Sequence, residues 1–323
     1  MTRVVAVNAV GGPENLSIED WEVGAPGPGQ VRLHQTAIGL NFVDTYQRSG
    51  LYPLPLPFVA GNEAAGEVVA VGEGVTEVKV GDRVCYQGSP GAYADERLMP
   101  VEKLVPIPEG VDDQTAAAVL LKGLTAYYLL FKTWPVQAGE TILWHAAAGG
   151  TGLIATQWAR ALGATVIGTA GGPDKVQKAL DHGCHHVIDY SIEDFPRLVK
   201  EFTAGRGVDV VYDGVGKATF EGSLDCLQPR GLLASFGNAS GVVSVPDLGI
   251  LARKGSLFVT RPTGVHYFAK RDDLLEGAKA LFGAVLGGDI KVDIGRTYPL
   301  ADVAEAHRAL ESRETTGSVV LLP

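Results

Sequence analysis

"HAAAGGTGL" occupies residues His145–Leu153 and decides how the rest of the chain is read. Laid over the phosphate-loop pattern G-x-G-x-x-G, it matches at Gly149 and Gly152, while Ala147 stands at the first glycine. The flanks give it meaning. "TILW" (141–144) is a short apolar strand feeding into it, and "GLIATQWARALGA" leaves it as a helix with an apolar face through Ile154, Trp158 and Leu162. Gly163 is a plausible stop for that helix. A glycine loop between a strand and a helix N-terminus presents unpaired N–H groups to an anion. Gly149 allows close approach of a pyrophosphate, and Gly152 allows the helix to pack on the sheet. Ala148, Gly149, Gly150, Thr151 and Gly152 are therefore the candidate dinucleotide loop. Close packing of small residues is the plainer alternative, and the strand–loop–helix–strand setting argues against it. No G-K-[ST] follows, which excludes a Walker-type loop.

Around this loop, strands and helices alternate. Strands are expected at Thr141–Trp144, Thr165–Thr169, His186–Tyr190, Val208–Tyr212, Gly231–Phe236 and Leu257–Thr260, with helices at 152–162, 174–182, 192–203 and 217–227. That alternation predicts a doubly wound parallel sheet of the Rossmann type. An NAD site would place Asp or Glu about 20 residues beyond the glycines. There the sequence reads Thr169-Ala170-Gly171-Gly172, with Lys175 following. Two glycines with free N–H groups and a lysine suit a 2′-phosphate, so the cofactor expected is NADPH.

Upstream, residues 1 to about 120 read as mostly β. In "QVRLHQTAI" (30–38), Val31, Leu33 and Gln35 form one alternating set. Valine runs cut by Gly72, Gly74 and Gly81 give short strands with glycine turns. "LYPLPLPFVAG" (51–61) has prolines at 53, 55 and 57 and forms an ordered loop rather than a helix. Past residue 264 the pattern turns helical (272–287), and "SVVLLP" closes the chain as a strand. At 323 residues about two domains are expected: 1–121 with 265–323, and 122–264.

The net charge of −10 repels phosphate backbones and disfavours nucleic acid as a partner. No apolar stretch is long enough to span a membrane. Cys85, Cys184 and Cys226 lie far apart and form no C-x-x-C pair, which favours a reducing, cytoplasmic setting. His145 reads as a packed residue at a strand end, and His185-His186 as a turn.

"AGNEAAGEVVAVGEGVTEVKVGDRV" (60–84) resembles the GroES-like half of the medium-chain dehydrogenase/reductases. "LKGLTAYYLL" (121–130) and the loop region resemble their zinc-independent quinone oxidoreductase branch, of the zeta-crystallin type, and the likeness runs from "GGPE" (11–14) to the C-terminus. It implies a GroES-like, mostly β catalytic domain, a Rossmann domain, NADPH as hydride donor, a small quinone as substrate, and reduction in the cleft between the domains. Gly61-Asn62-Glu63 replaces the G-H-E of zinc-dependent relatives, and cysteines are missing from "IGLNFVDT" (38–45) and "LLKGLT" (120–125), so no catalytic zinc is expected.

The resemblance further implies that Lys175, Tyr190 and Arg313 surround the 2′-phosphate, and that Phe236, Gly237 and Asn238 line the nicotinamide. It puts Asn41, Tyr46 and Thr125 beside the nicotinamide and the substrate. Asn41, Tyr46, Tyr52 and Thr125 are candidates for holding the acceptor's carbonyl oxygen, with Tyr52 equally readable as a packing aromatic. Gly214 stands where relatives often carry serine, implying a lost hydrogen bond to the cofactor. A homodimer is expected through the edge strand in "GSLFVTRP" (255–262). Conjugate reduction of enones or alkenals is the alternative activity, and a non-enzymatic NADPH- or RNA-binding protein is a third reading.

Overall fold

The computed structural model describes residues 1–245 and 247–323. It divides into two compact units: 1–124 with 268–286 and 292–323, and 125–267 with 287–291.

The first unit begins with β1 (Thr2–Val7), β2 (Leu16–Trp21), β3 (Gln30–Leu40), α1 (Phe42–Arg48), β4 (Phe58–Val59) and β5 (Glu63–Val71). Then come β6 (Arg83–Gln87), β7 (Glu96–Pro100), β8 (Val105–Pro106) and α2 (Asp113–Tyr127), whose last residues are counted with the second unit. Strand β3 is the axis. It pairs antiparallel with β5 and with β7, and its Val31, Leu33 and Gln35 all face inward and are buried. Gln35 is tolerated there because its amide donates to Ala92 O and its carbonyl accepts from the Tyr86 hydroxyl. The proline-rich stretch runs as loop until β4.

The second unit continues with β9 (Thr141–Trp144), α3 (Gly150–Ala161), β10 (Thr165–Ala170), α4 (Pro173–Asp181), β11 (His186–Asp189) and α5 (Phe195–Phe202). It closes with β12 (Val208–Asp213), α6 (Phe220–Cys226), β13 (Leu227–Ser235), α7 (Gly249–Arg253), β14 (Phe258–Thr260) and α8 (Gly264–Tyr267). All six strands are parallel, in the order β11-β10-β9-β12-β13-β14. The order reverses between β9 and β12, and ligands of open parallel sheets bind at such a switch point. Trp144 ends β9 almost fully buried against Tyr212 and Phe236. The helix expected over 192–203 starts later, because Asp194 caps it by accepting from Arg197 N and Pro196 sits in its first turn. The strand expected from Gly231 starts earlier, at Leu227.

The chain returns to the first unit with α9 (Arg271–Gly287), β15 (Ile294–Pro299), α10 (Val303–Glu311) and β16 (Ser318–Leu322). Strand β16 pairs with β3, so the final apolar strand completes the larger sheet, β15-β16-β3-β5-β6-β8 with β7 on β3.

Candidate functional site

In the second unit the β9–α3 connection is a tight turn. Gly149 N–H donates to Ala146 O, and Leu153 N–H donates to Gly149 O to start the helix. The left-handed residue is Ala146 (φ +53°), one position before the residue that sequence alignment puts at the turn glycine. Ala147, in the turn past the end of β9, instead donates its N–H to Thr169 O. It is small for a different reason: a Cβ on Gly168 would lie 2.8 Å from the Ala147 Cβ. Gly152 is fixed by sterics, since a Cβ there would meet Ala146 O at 2.5 Å and Ala147 O at 2.6 Å. The loop backbone thus lies on the first turn of α3. The N–H groups of Gly150, Thr151 and Gly152 open that turn, where no intrahelical acceptor exists. Such a cradle fits a pyrophosphate.

At the end of β10, Gly172 (φ +86°) precedes Pro173 at the first position of α4. One part of the sequence reading is corrected here. The Gly172 N–H is not open to a phosphate, because it donates to Asp189 Oδ1 at 3.1 Å. A carboxylate is therefore present near the two glycines, brought in by the next strand, β11. The same Oδ1 also accepts from the backbone N–H and hydroxyl of Ser191, and these bonds hold the carboxyl below its usual range. Tyr190 leans its hydroxyl over Gly171, where a Cβ would lie 2.9 Å from Oη. Gly171, Gly172 and Tyr190 are thus gathered at one strand end, and Lys175 follows in the first turn of α4. Arg313 belongs to the first unit, exposed and left-handed (φ +61°) just past α10.

The 236–238 loop is pinned from several sides. Phe236 N–H donates to Asp213 O, and the Arg261 guanidinium donates to Ser235 O and Gly237 O. Gly214 has a steric reason: a Cβ would stand 3.0 Å from the Phe236 ring, and Gly237 in turn sits on Gly214 O. Gly214 and Phe236 therefore fit each other.

Beneath the loop, His145 is buried with both ring nitrogens bonded. Ser223 Oγ donates its single proton to the Asp213 carboxylate, so His145 Nε2–H donates to Ser223 Oγ and Nδ1 accepts from the Thr169 hydroxyl. Burial lowers its pKa, against the pull of Asp213. This is a neutral, positioning histidine, in keeping with the sequence reading of a packed residue.

In the first unit, Asn41 begins α1 and is buried. Its Nδ2 donates to Glu63 Oε2 at 2.9 Å. The fully buried Glu63 also accepts from Leu121 N–H on Oε1 and from Lys122 Nζ, at 3.4 Å, on Oε2. Gly39 makes the room, since a Cβ there would lie 2.3 Å from Glu63 Oε2. Tyr46 and Tyr52 meet edge to face at 5.2 Å, with Tyr52 N–H bonded to Tyr46 O. Tyr52 is 37% exposed and Tyr46 is half-buried, so the structure joins these two and Asn41 through α1. Thr125, on α2 one turn past Leu121, is partly buried and counted with the second unit.

Behind α1 lies a buried chain that the sequence did not disclose. Asp44 accepts from Asn41 N–H, the Tyr93 hydroxyl and Asn62 Nδ2. Asn62 also exchanges hydrogen bonds with Gln47, so its amide is occupied in holding α1. Because the Tyr93 hydroxyl donates to Asp44, His307 Nε2–H donates to Tyr93 and Nδ1 accepts from Arg48, which pairs with Glu311. Burial, against those hydrogen bonds, pushes the Asp44 carboxyl up to about 6. Burial and the Arg48 charge bring His307 down to about 3. The only signal for Glu63 and Lys122 was a charge inside apolar surroundings, as in "AAAVLLKGL" (116–124).

Residues 27–109 match the alcohol dehydrogenase GroES-like domain, and residues 150–276 match the zinc-binding dehydrogenase family. A quinone oxidoreductase of Pseudomonas aeruginosa is 54% identical over the whole of both chains. The chain belongs to the quinone oxidoreductase family of the medium-chain dehydrogenase/reductases. Within this family, a 2-haloacrylate reductase of a Burkholderia species is 50% identical over 100% of this chain and 99% of its own. The crystal structure of the Escherichia coli quinone oxidoreductase complexed with NADPH superposes with a TM-score of 0.97 at 49% identity, covering 99% of this chain and all of that one.

Proposed function

We propose that the chain is an NADPH-dependent quinone oxidoreductase that works without zinc. The observation that carries this reading is the β9–α3 cradle followed by the end of β10, where Gly171 and Gly172 leave no acidic side chain on that strand, Lys175 follows in α4, and the Asp189 carboxylate from β11 is tied to the Gly172 N–H. NADPH would supply the hydride. The N–H groups of Gly150, Thr151 and Gly152 would hold its pyrophosphate, with Ala148 and Gly149 giving close approach. Lys175 and Tyr190 would bind the 2′-phosphate, with Arg313 as a further partner. Asp189 Oδ1 is engaged by Gly172 and Ser191, which ties this carboxylate to the turn. Phe236, Gly237 and Asn238 would line the nicotinamide. Asn41, Tyr46, Tyr52 and Thr125 would orient the acceptor and exclude water.

The near relation to a 2-haloacrylate reductase favours a second reading, conjugate reduction of activated alkenes. Steady-state NADPH consumption with 1,4-benzoquinone, 9,10-phenanthrenequinone and 2-alkenals separates the two. Turnover of quinones is expected, and turnover of alkenals alone would replace the first reading by the second. Tight NADPH binding with no turnover would leave only a binding role. We further infer a homodimer through β14, an edge strand with Phe258 59% and Val259 37% exposed. Sedimentation as a monomer at micromolar concentration would refute it.

A further inference from the structure

Lys122 is a charged residue inside an apolar helix, with its side chain 8% exposed. An ammonium in such a place needs partners, because desolvation is costly and it carries three donors. Among the described residues it makes one hydrogen bond, to Glu63 Oε2, at a long 3.4 Å. Glu63 does not depend on it for hydrogen bonding, since Leu121 N–H and Asn41 Nδ2 already serve its two oxygens at 2.5 and 2.9 Å. A lysine present only to neutralise Glu63 would close to charge-assisted hydrogen-bond distance, about 2.7–2.9 Å. Two of its donors remain unspent. The oxygen it shares with Asn41 sets that ammonium beside the side chain proposed above to steer the acceptor's carbonyl.

We propose that the Lys122 ammonium is the electrophilic group of this site, hydrogen-bonding the acceptor oxygen on which negative charge develops. The assignment rests on the carbonyl-acceptor reading above. For an enone, hydride arrives at the β-carbon, forms the new C–H bond, and the displaced π pair moves to the carbonyl oxygen, which becomes an enolate. For a quinone, hydride arrives at one carbonyl oxygen, forms the new O–H bond, and the displaced π pair moves through the ring to the other oxygen, which becomes a phenolate. Lys122 donates to that oxygen, Asn41 and Glu63 fix the ammonium's position, and water supplies the proton that completes the reduction. A fixed donor aimed at developing charge in a water-poor site stabilises the transition state more than the ground state. The benefit is greater for an enolate than for a phenolate, whose charge the ring already spreads.

The test uses the full-length protein and 4-nitrophenol, a stand-in for the phenolate product. Its ionisation on the protein is followed by absorbance against pH. In the wild type the bound phenol's apparent pKa is expected at least ~1 unit below its free-solution value, about a tenfold preference for the anion. The shift should vanish in Lys122→Met and persist in Lys122→Arg. The paired variant Lys122→Met/Glu63→Gln removes both charges together, so it reports on the same point if the single variant fails to fold. In turnover, losing the donor should lower kcat about 10²-fold with 2-alkenals and about tenfold with 1,4-benzoquinone, with KM nearly unchanged. An unshifted phenol, no phenol binding, or equal losses for both acceptors would overturn the assignment. A wild type that shifts the phenol yet reduces no quinone or alkenal would instead sink the proposed activity and leave the oxyanion site standing.

Discussion

Asp44→Asn tests the buried chain behind α1. In the native protein Asp44 keeps its proton up to about 6, whereas its ordinary value is 3.8. Between those values the folded state holds a proton that the unfolded chain has lost. Stability from this group is therefore fully present below the ordinary value and falls as pH rises through the native one. At about 1.4 kcal/mol per pKa unit, the loss amounts to about 3 kcal/mol. Asparagine cannot titrate. It also offers fewer acceptor lone pairs to Asn41 N–H, Tyr93 and Asn62, so one buried donor goes unpaired, at about 1–3 kcal/mol. The variant should thus be weaker than wild type by about 4–6 kcal/mol at pH 4 and by about 1–3 kcal/mol at pH 7.5. His307 acts in the opposite sense, lending stability that rises with pH between about 3 and 6.5. It is present in both proteins, so the difference between them isolates Asp44. Urea unfolding at the two pH values measures it. A penalty that stays constant, or grows with pH, would refute the argument.

Lys175→Ala should raise the Kd for NADPH at least tenfold more than that for NADH in fluorescence titration, because only NADPH presents a 2′-phosphate to the lysine; equal losses would remove Lys175 from the phosphate site. Gly152→Val forces a side chain into Ala146 O and Ala147 O, both backbone atoms. Calorimetry should show NADPH affinity lowered by about 10²-fold, with a folded first unit by hydrogen exchange. Gly214→Ser places a Cβ 3.0 Å from Phe236; it should cost about 1–2 kcal/mol in thermal unfolding, and Phe236→Leu in the same background should recover part of that.

The parallel sheet was legible because its strands are short apolar runs separated by helical periodicity, and both signals are local. The dinucleotide loop was legible for the same reason: a strand, glycines and an amphipathic helix are contiguous over 141–163. Local pattern could not place the turn's strain. The left-handed residue is Ala146 rather than Ala147, whose N–H is taken by Thr169 O on the neighbouring strand. Nor could it show that Asp189, 17 residues past Gly172, takes that glycine's N–H, since the bond joins two strand ends. Gly214 read alone looked like a lost hydrogen bond, and only the Phe236 ring across from it gives the steric reason. Asn41 was named from sequence, but its partners Glu63 and Lys122 lie 22 and 81 positions away and meet through the β3–β5 pairing and the start of α2's last turns. Sequence determined which elements form and which ligand class they suit, because those depend on neighbours along the chain. Tertiary structure decided which buried charges face each other, because desolvation and hydrogen bonding depend on neighbours in space.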